Sequence, residues 1–344
     1  MVVKDAARSG VGGDRTQLER LADAGYEKGA QIPEGFDEHD DPYLSIPAYV
    51  DRLDEAWEDV KRLGLERHAL ELQTLGFTAV EPDLIGPPEF IQDVLHATLE
   101  VAKRRRGIDY NFKNGAPELN LYGRGADKAA NEKYILLESD KFLLFEDPIY
   151  EKIVQNEAVL ALVTLLIGRG CLLDRLYSLY RHANTLPLPL HTETGHMSPF
   201  PSFPTLASVT WCLTDFKGIA DGATCYVPGT HKFNRRPTKH EGYVAMSSAR
   251  SVNAPAGSVL LHNGATWHGA PTRLNEGIRV SVNMFYIKGN LPQSEGYRGR
   301  EPEGILERNP ARFAHLLGHS LTRGHGEEGY GLEKRGSSIE TSLL

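Results

Sequence analysis

The spacing of apolar residues changes twice along the chain, dividing it into an arm, a helical segment and a strand-rich centre. Residues 1 to about 45 mix Gly, Asp, Glu and Pro, as at Gly35, Asp37, Glu38, Asp40, Asp41 and Pro42, with little apolar periodicity. They are expected to form a flexible or surface-lying arm. From Ile46 the period is helical: Tyr49, Leu53, Trp57, Val60 and Leu63 make one packing stripe, and a second follows around Leu70 and Leu72. Thr78 to Val80 reads as a short strand and Gly86-Pro87-Pro88 as a break. Phe90 to Arg106 reads as a helix with a core face of Ile91, Val94, Leu95, Leu99 and Val101. A third helical stretch covers Pro148 to Leu166.

Beyond it the period shortens to two. Strands are predicted at Leu172 to Tyr180, Ala207 to Leu213, Thr224 to Val227, Ser258 to Leu261 and Arg279 to Tyr286, separated by Gly, Pro and Asn clusters. Short strands with such turns predict a β-sandwich or barrel. After residue 287 Asn309 and Pro310 read as the N-cap and first residue of a helix bearing Phe313, Leu316 and Leu317, and the last twenty residues as a loose tail. The expected organisation is an arm at 1–45, a main domain at 46–290 made of packing helices and strands, and a helix with its tail at 291–344.

Composition narrows the function. A formal charge of -8 and a pI near 5.9 disfavour a nucleic-acid backbone or an anionic membrane as partner and favour a small-molecule substrate. The one basic cluster, Lys103 to Arg106, closes a predicted helix and reads as a solvated face. Cys171, Cys212 and Cys225 lack the spacing of a disulfide framework or a zinc site and read as buried small hydrophobes in a reducing compartment. Ala158 to Ile167, the longest apolar run, is about half the ~20 residues a spanning helix needs. With no apolar leader segment near Met1, a soluble cytoplasmic protein is expected.

The candidate chemistry starts at His191-Thr192-Glu193. On extended backbone, residues two apart share a face, so the imidazole and carboxylate can converge on one ion. His268, in Ala265-Thr266-Trp267-His268-Gly269, is the candidate second histidine, and its position 77 residues after His191 gives room for the chain to wrap and return. Two imidazoles and one carboxylate form the facial set that leaves three adjacent positions open on non-haem iron, enough for a bidentate oxoacid and dioxygen. Arg279, eleven residues after His268, opens a run in which Arg279, Ser281 and Asn283 alternate with Val280, Val282 and Met284. A guanidinium on the inner face of a strand suits a carboxylate, and its planar fork fits the distal carboxylate of 2-oxoglutarate.

These residues, with Trp211-Cys212-Leu213-Thr214-Asp215, Asp221 to His231, Pro255-Ala256-Gly257-Ser258 and Trp267-His268-Gly269, make the chain resemble the phytanoyl-CoA dioxygenase family over roughly residues 67 to 287. The resemblance implies a mainly β fold, a double-stranded β-helix (jelly roll, cupin-like) core with N-terminal packing helices. It implies Fe(II) held by His191, Glu193 and His268, and 2-oxoglutarate held by Arg279. Trp211 falls where the family contacts the oxoacid. The implied activity is hydroxylation, desaturation or ring formation on a small molecule with release of succinate and CO2. Glu193 stands where most members have Asp, and Ala270 where many have a Ser that touches the oxoacid; Thr272, Ser281 or Tyr180 could replace that hydrogen bond. Two alternatives stay open, an oxoacid-independent cupin-like metal site and a non-catalytic binding module.

Overall fold

The computed structural model describes residues 53–110, 138–195, 197 and 199–319. Helices α1 (Leu53–Arg62) and α2 (Glu66–Thr74) precede strand β1 (Phe77–Val80) and the long helix α3 (Pro88–Arg106). Helix α3 takes Pro88 in its first turn, where a missing N–H costs nothing, and stops at Gly107, whose φ of +70 is the left-handed conformation of a C-cap. Two further helices follow, α4 (Pro148–Ile153) and α5 (Glu157–Ile167). The single helical stretch expected at Pro148 to Leu166 is thus broken in two. The Asn156 side chain accepts from the Val159 N–H and caps α5, and an N-cap residue stands outside the helix it starts.

The strands are β2 (Leu172–His182), β3 (Leu188–His191), β4 (Leu206–Cys212), β5 (Phe216–Lys217), β6 (Cys225–Tyr226), β7 (Arg250–Ser251), β8 (Asn253–Ala254), β9 (Val259–Asn263), β10 (His268–Ala270) and β11 (Ile278–Ile287). Short helix α6 (Lys239–Val244) lies between β6 and β7, and α7 (Ala311–Leu316) follows β11. One sheet has five strands in the order β1-β9-β4-β11-β2, a second has four in the order β3-β10-β6-β7, and β5 pairs with β8; all pairings are antiparallel. The sheets face each other, since Tyr226 of β6 stacks on Phe77 of β1 at 4.4 Å between centroids and packs with Cys212 and Leu260. This is an open jelly roll and not a closed barrel.

Every residue of β4, β9 and β11 is buried, so the five-stranded sheet is covered on both sides. On its outer face Val280, Val282, Met284, Trp211, Val209, Leu261 and Tyr180 join one apolar core with Ile91, Val94 and Val101 of α3 and Val159 and Leu162 of α5. Register assigns the inner face, because residues paired across strands point the same way. Its rows are Arg181–Arg279, Leu179–Ser281–Cys212, Tyr177–Asn283–Thr210 and Arg175–Phe285–Ser208–His262.

Several local expectations shift. The basic end of α3 is the exposed face expected of it at Lys103, Arg104 and Arg105, and it is also a staple: Arg104 and Arg105 both pair with Glu146, and Arg106 reaches Glu138 at 2.7 Å and Asp140 at 2.9 Å. The last helix starts one residue later than expected, with Pro310 as N-cap, because the Asn309 amide is engaged by Glu151 and the Ile305 carbonyl. Trp57 is 39% exposed, outside the packing stripe expected of it. All three cysteines are buried and free. The arm at 1–45, the start of the first stripe at Ile46 and Tyr49, and the tail lie outside the described residues.

The tightest approach in the second sheet is at Gly269, where an added Cβ would lie 2.4 Å from the Leu188 carbonyl oxygen. Gly269→Ala is therefore expected to force β3 and β10 apart and cost about 1–3 kcal/mol. Urea denaturation checks it; a loss below about 0.5 kcal/mol, ordinary for a neutral surface change, would show that the pair relaxes freely.

Candidate metal centre

Backbone pairing alone brings the two histidines together: in the β3–β10 ladder His268 lies directly opposite His191. Their ring centroids are 4.2 Å apart. His191 Nδ1 donates to the Pro189 carbonyl at 2.9 Å and His268 Nδ1 to the Thr266 carbonyl at 3.0 Å. Each bond consumes the Nδ1 proton, fixes the ring plane and leaves the Nε2 lone pair free for a metal.

Glu193 lies two residues beyond the end of β3, and its backbone is anchored. The Gly264 carbonyl accepts from both the Glu193 N–H at 2.8 Å and the Thr194 N–H at 3.0 Å. Gly264 must be glycine, since a Cβ there would stand 2.7 Å from Thr194 Oγ1 and 2.9 Å from Leu206 Cδ2. The carboxylate turns Oε1 to the imidazoles, 3.4 Å from His191 Nε2 and 3.6 Å from His268 Nε2. One ligand atom from each of the three residues lies within 4.8 Å of the others, a set that could share one metal ion. Two nitrogens, one oxygen and backbone-fixed tautomers suit a divalent first-row metal with open positions.

Electrostatics favours the ligand forms. Burial raises the cost of the Glu193 carboxylate, but hydrogen bonds from His191 and His268 outweigh it and hold its pKa well below the usual carboxylate range. Burial, together with the charge of His191, pushes His268 down toward the neutral imidazole. His191 goes the other way: burial opposes its cation, yet the facing Glu193 raises its pKa. A bound cation would replace that proton.

Arg279 is 4% exposed and lies on the inner face of β11. Among the described residues its hydrogen bond runs from Nη1 to the Gly222 carbonyl at 2.6 Å, its Nε has no partner, and its guanidinium lies over the Phe216 ring at 3.9 Å. Burial, aided by the neighbouring charge of Arg181, pulls its pKa down to about 9. Arg181, its register partner, donates to the Pro271 carbonyl at 2.8 Å and is likewise pulled down, to about 10. The nearby acid is already committed, because Asp221 pairs with Arg273 and accepts from Asn275 at 3.0 Å. Two buried cations thus stand side by side facing the lumen, with no acid of their own among the described residues, a cost that an anionic ligand would remove.

Trp211 and Tyr180 are not brought to this site. Trp211 pairs with Val282 and Tyr180 with Val280, so both lie on the helix-covered face. Tyr180 donates to the Thr98 carbonyl at 3.1 Å and stacks on Tyr110, while Trp211 meets Phe90 edge to face. Of the residues that could stand in for a serine at position 270, Ser281 shares the face of Arg279 and Tyr180 does not. Three inner-face residues are not evident from the sequence alone. Arg175 and Arg181 have the same parity on β2 as Tyr177, a signal available once β2 is paired with β11. His262, whose ring is 4.2 Å from His268 and whose Nδ1 meets Tyr226 Oη at 3.2 Å, has no motif. His231 is structural, bonding the Gln73 carbonyl at 3.2 Å. His196 lies outside the described residues.

Comparison with known proteins adds the following. The sequence model of the family described as Phytanoyl-CoA dioxygenase (PhyH) matches residues 88–281. The fold is similar to HygX from Streptomyces hygroscopicus, solved with nickel and 2-oxoglutarate bound, with 18% identity, 64% of this chain and 86% of that chain covered, and a TM-score of 0.50. It is also similar to AviO1 from Streptomyces viridochromogenes Tue57, with 17% identity, coverage of 67% and 97%, and a TM-score of 0.50. At such identities the likeness concerns the fold. An uncharacterized protein of Mycobacterium tuberculosis is 28% identical over 97 residues, 28% of this chain; the chain spans about a third (34%) of that relative's length.

The outward placement of Tyr180 has a direct test. Tyr180→Phe is expected to leave 2-oxoglutarate affinity within twofold of wild type while costing about 0.5–1.5 kcal/mol of stability, the worth of its hydrogen bond to Thr98. Calorimetric titration and thermal melting read the two effects separately, and a tenfold loss of oxoacid affinity at unchanged stability would contradict the assignment.

Proposed function

The chain belongs to the phytanoyl-CoA dioxygenase family, and from that premise we propose that it is an iron(II)- and 2-oxoglutarate-dependent oxygenase acting on a small-molecule metabolite or natural-product intermediate. The observation behind the proposal is the pairing of one two-histidine, one-carboxylate cluster with a buried arginine that has no acid of its own among the described residues. HygX, whose fold is similar, binds nickel and 2-oxoglutarate. When bound, iron and 2-oxoglutarate supply oxidation by dioxygen: one oxygen atom enters succinate as the oxoacid loses CO2, and the other serves to oxidise a C–H bond.

The chain's own residues hold and orient. His191 and His268 would give their Nε2 lone pairs to the metal and Glu193 its Oε1. Arg279 grips the distal carboxylate of the oxoacid, and Arg181 adds positive charge beside it. Removing that carboxylate from water makes each hydrogen bond to it stronger, which is why a buried fork serves better than an exposed one. Hydroxylation is the default outcome. With Glu193 filling the acidic position, no halide has a place beside the metal, so chlorination is not expected.

The charge of -8 supports a small-molecule substrate over nucleic acid. Among the described residues no helix is long and apolar enough to cross a membrane, and three free buried thiols suit a reducing compartment such as the cytoplasm.

Succinate formation and oxygen uptake are expected to require both iron and 2-oxoglutarate; metal-dependent turnover without the oxoacid would favour the cupin-like alternative. His191→Ala and His268→Ala should each abolish iron binding, measured by anaerobic titration, and full binding in either would remove the triad assignment. Arg279→Lys keeps the charge but loses the fork. Its 2-oxoglutarate affinity should fall by one to two orders of magnitude, on the order of the 1.5–3 kcal/mol of a charged hydrogen bond; an unchanged affinity would show that another cation holds the oxoacid.

A further inference from the structure

We propose that Arg175 is a positioning residue for the metal-facing carboxylate, an inference that rests on the triad reading above. Its Nη2 donates to Glu193 Oε2 at 2.9 Å, the oxygen that does not face the imidazoles. Oε1 meanwhile stands 3.4 Å and 3.6 Å from the two histidine Nε2 atoms. The two oxygens of one carboxylate are therefore divided between two tasks.

Glutamate makes such a device necessary. Its extra methylene adds a rotatable bond, so an unrestrained carboxylate at position 193 can turn both oxygens toward one ion or swing away from it. A bond to Oε2 removes both motions, keeps coordination through a single oxygen and preserves the open positions. Backbone anchoring at Gly264 fixes where the side chain starts, and Arg175 fixes where it ends.

Arg175 is itself held flat. It pairs across the ladder with Phe285, and its guanidinium carbon lies 4.1 Å from the centroid of that ring. Its Nε is 3.6 Å from Asp174 Oδ2. Stacking over a buried ring fixes the plane of the fork, which a flexible lysine ammonium cannot reproduce fully.

The test is cobalt(II) binding to the full chain without oxygen or oxoacid, a readout independent of turnover. Arg175→Met keeps contact with Phe285 and removes the donor; its cobalt affinity is expected to fall about 10- to 100-fold, the usual effect of removing a partner that orients a ligand. Arg175→Lys should recover at least fivefold of that loss, with metal-free melting temperatures alike. Cobalt affinity of Arg175→Met within threefold of wild type would overturn the proposal, and so would a lysine variant no tighter than the methionine one, since that points to packing alone. If Arg175→Met does not fold, Arg175→Leu, which also lacks a donor, takes its place under the same limits. The two readings fail differently: a wild-type chain that binds no cobalt, or a His191→Ala chain that binds it normally, removes the triad and not merely Arg175.

Discussion

The pairing of β3 with β10 is the constraint on which the inner site depends. It sets one imidazole directly across from the other at a separation decided by backbone hydrogen bonds, before any side chain has chosen a rotamer. Carbonyls of the same segments then take the two Nδ1 protons. Geometry and tautomer are thus set by main chain, the least mutable part of the protein. The close approach of Gly269 to Leu188 belongs to the same arrangement: the strands can be this near only because one residue has no side chain.

The five-stranded sheet works as a partition. Its outer face is largely aliphatic and aromatic and is covered by α3 and α5, while its inner face carries the sheet's arginines, Arg175, Arg181 and Arg279. Sealing both sides places Arg181 and Arg279 in a medium poor in water, where a guanidinium without a counter-ion is unfavourable. The fold tolerates them because their carbonyl partners, and the Phe216 ring under Arg279, recover part of the lost hydration. The remaining cost is one that a bound anion would remove, and such a ligand would stabilise the sheet that holds it.

Much of this is legible in the sequence, and the failures have physical causes. Strands β2, β4, β9 and β11 fall within two residues of their expected ends, β2 and β11 because their alternation persists for many positions and β4 and β9 because apolar residues stand between turn signals. Strand β3 is hidden, since Pro189 within Leu188–His191 reads as a breaker, and it survives beside β10 where the register shifts. Two-residue strands such as β5, β7 and β8 have no periodicity to detect. His191, Glu193 and His268 can be named because a metal needs particular atoms at a particular spacing. Trp211 and Tyr180 are misplaced by sequence reasoning because motif position does not report which side of a strand a residue faces; one step of parity separates Trp211 from Cys212, and only pairing with β11 decides it. Arg175 escapes for a related reason, as its partner Glu193 lies on a turn anchored to another strand's end.

The double acceptance at the Gly264 carbonyl marks a border as well as an anchor. Up to Thr194 the chain is tied to the rigid turn between β9 and β10; from Gly195 onward it runs on toward β4. Strain from a longer, shorter or differently composed loop past that border reaches Glu193 along the backbone, and the two hydrogen bonds to Gly264 resist it there. The anchor at Gly264 therefore damps, before it reaches the carboxylate, whatever differences in the loop send back along the chain.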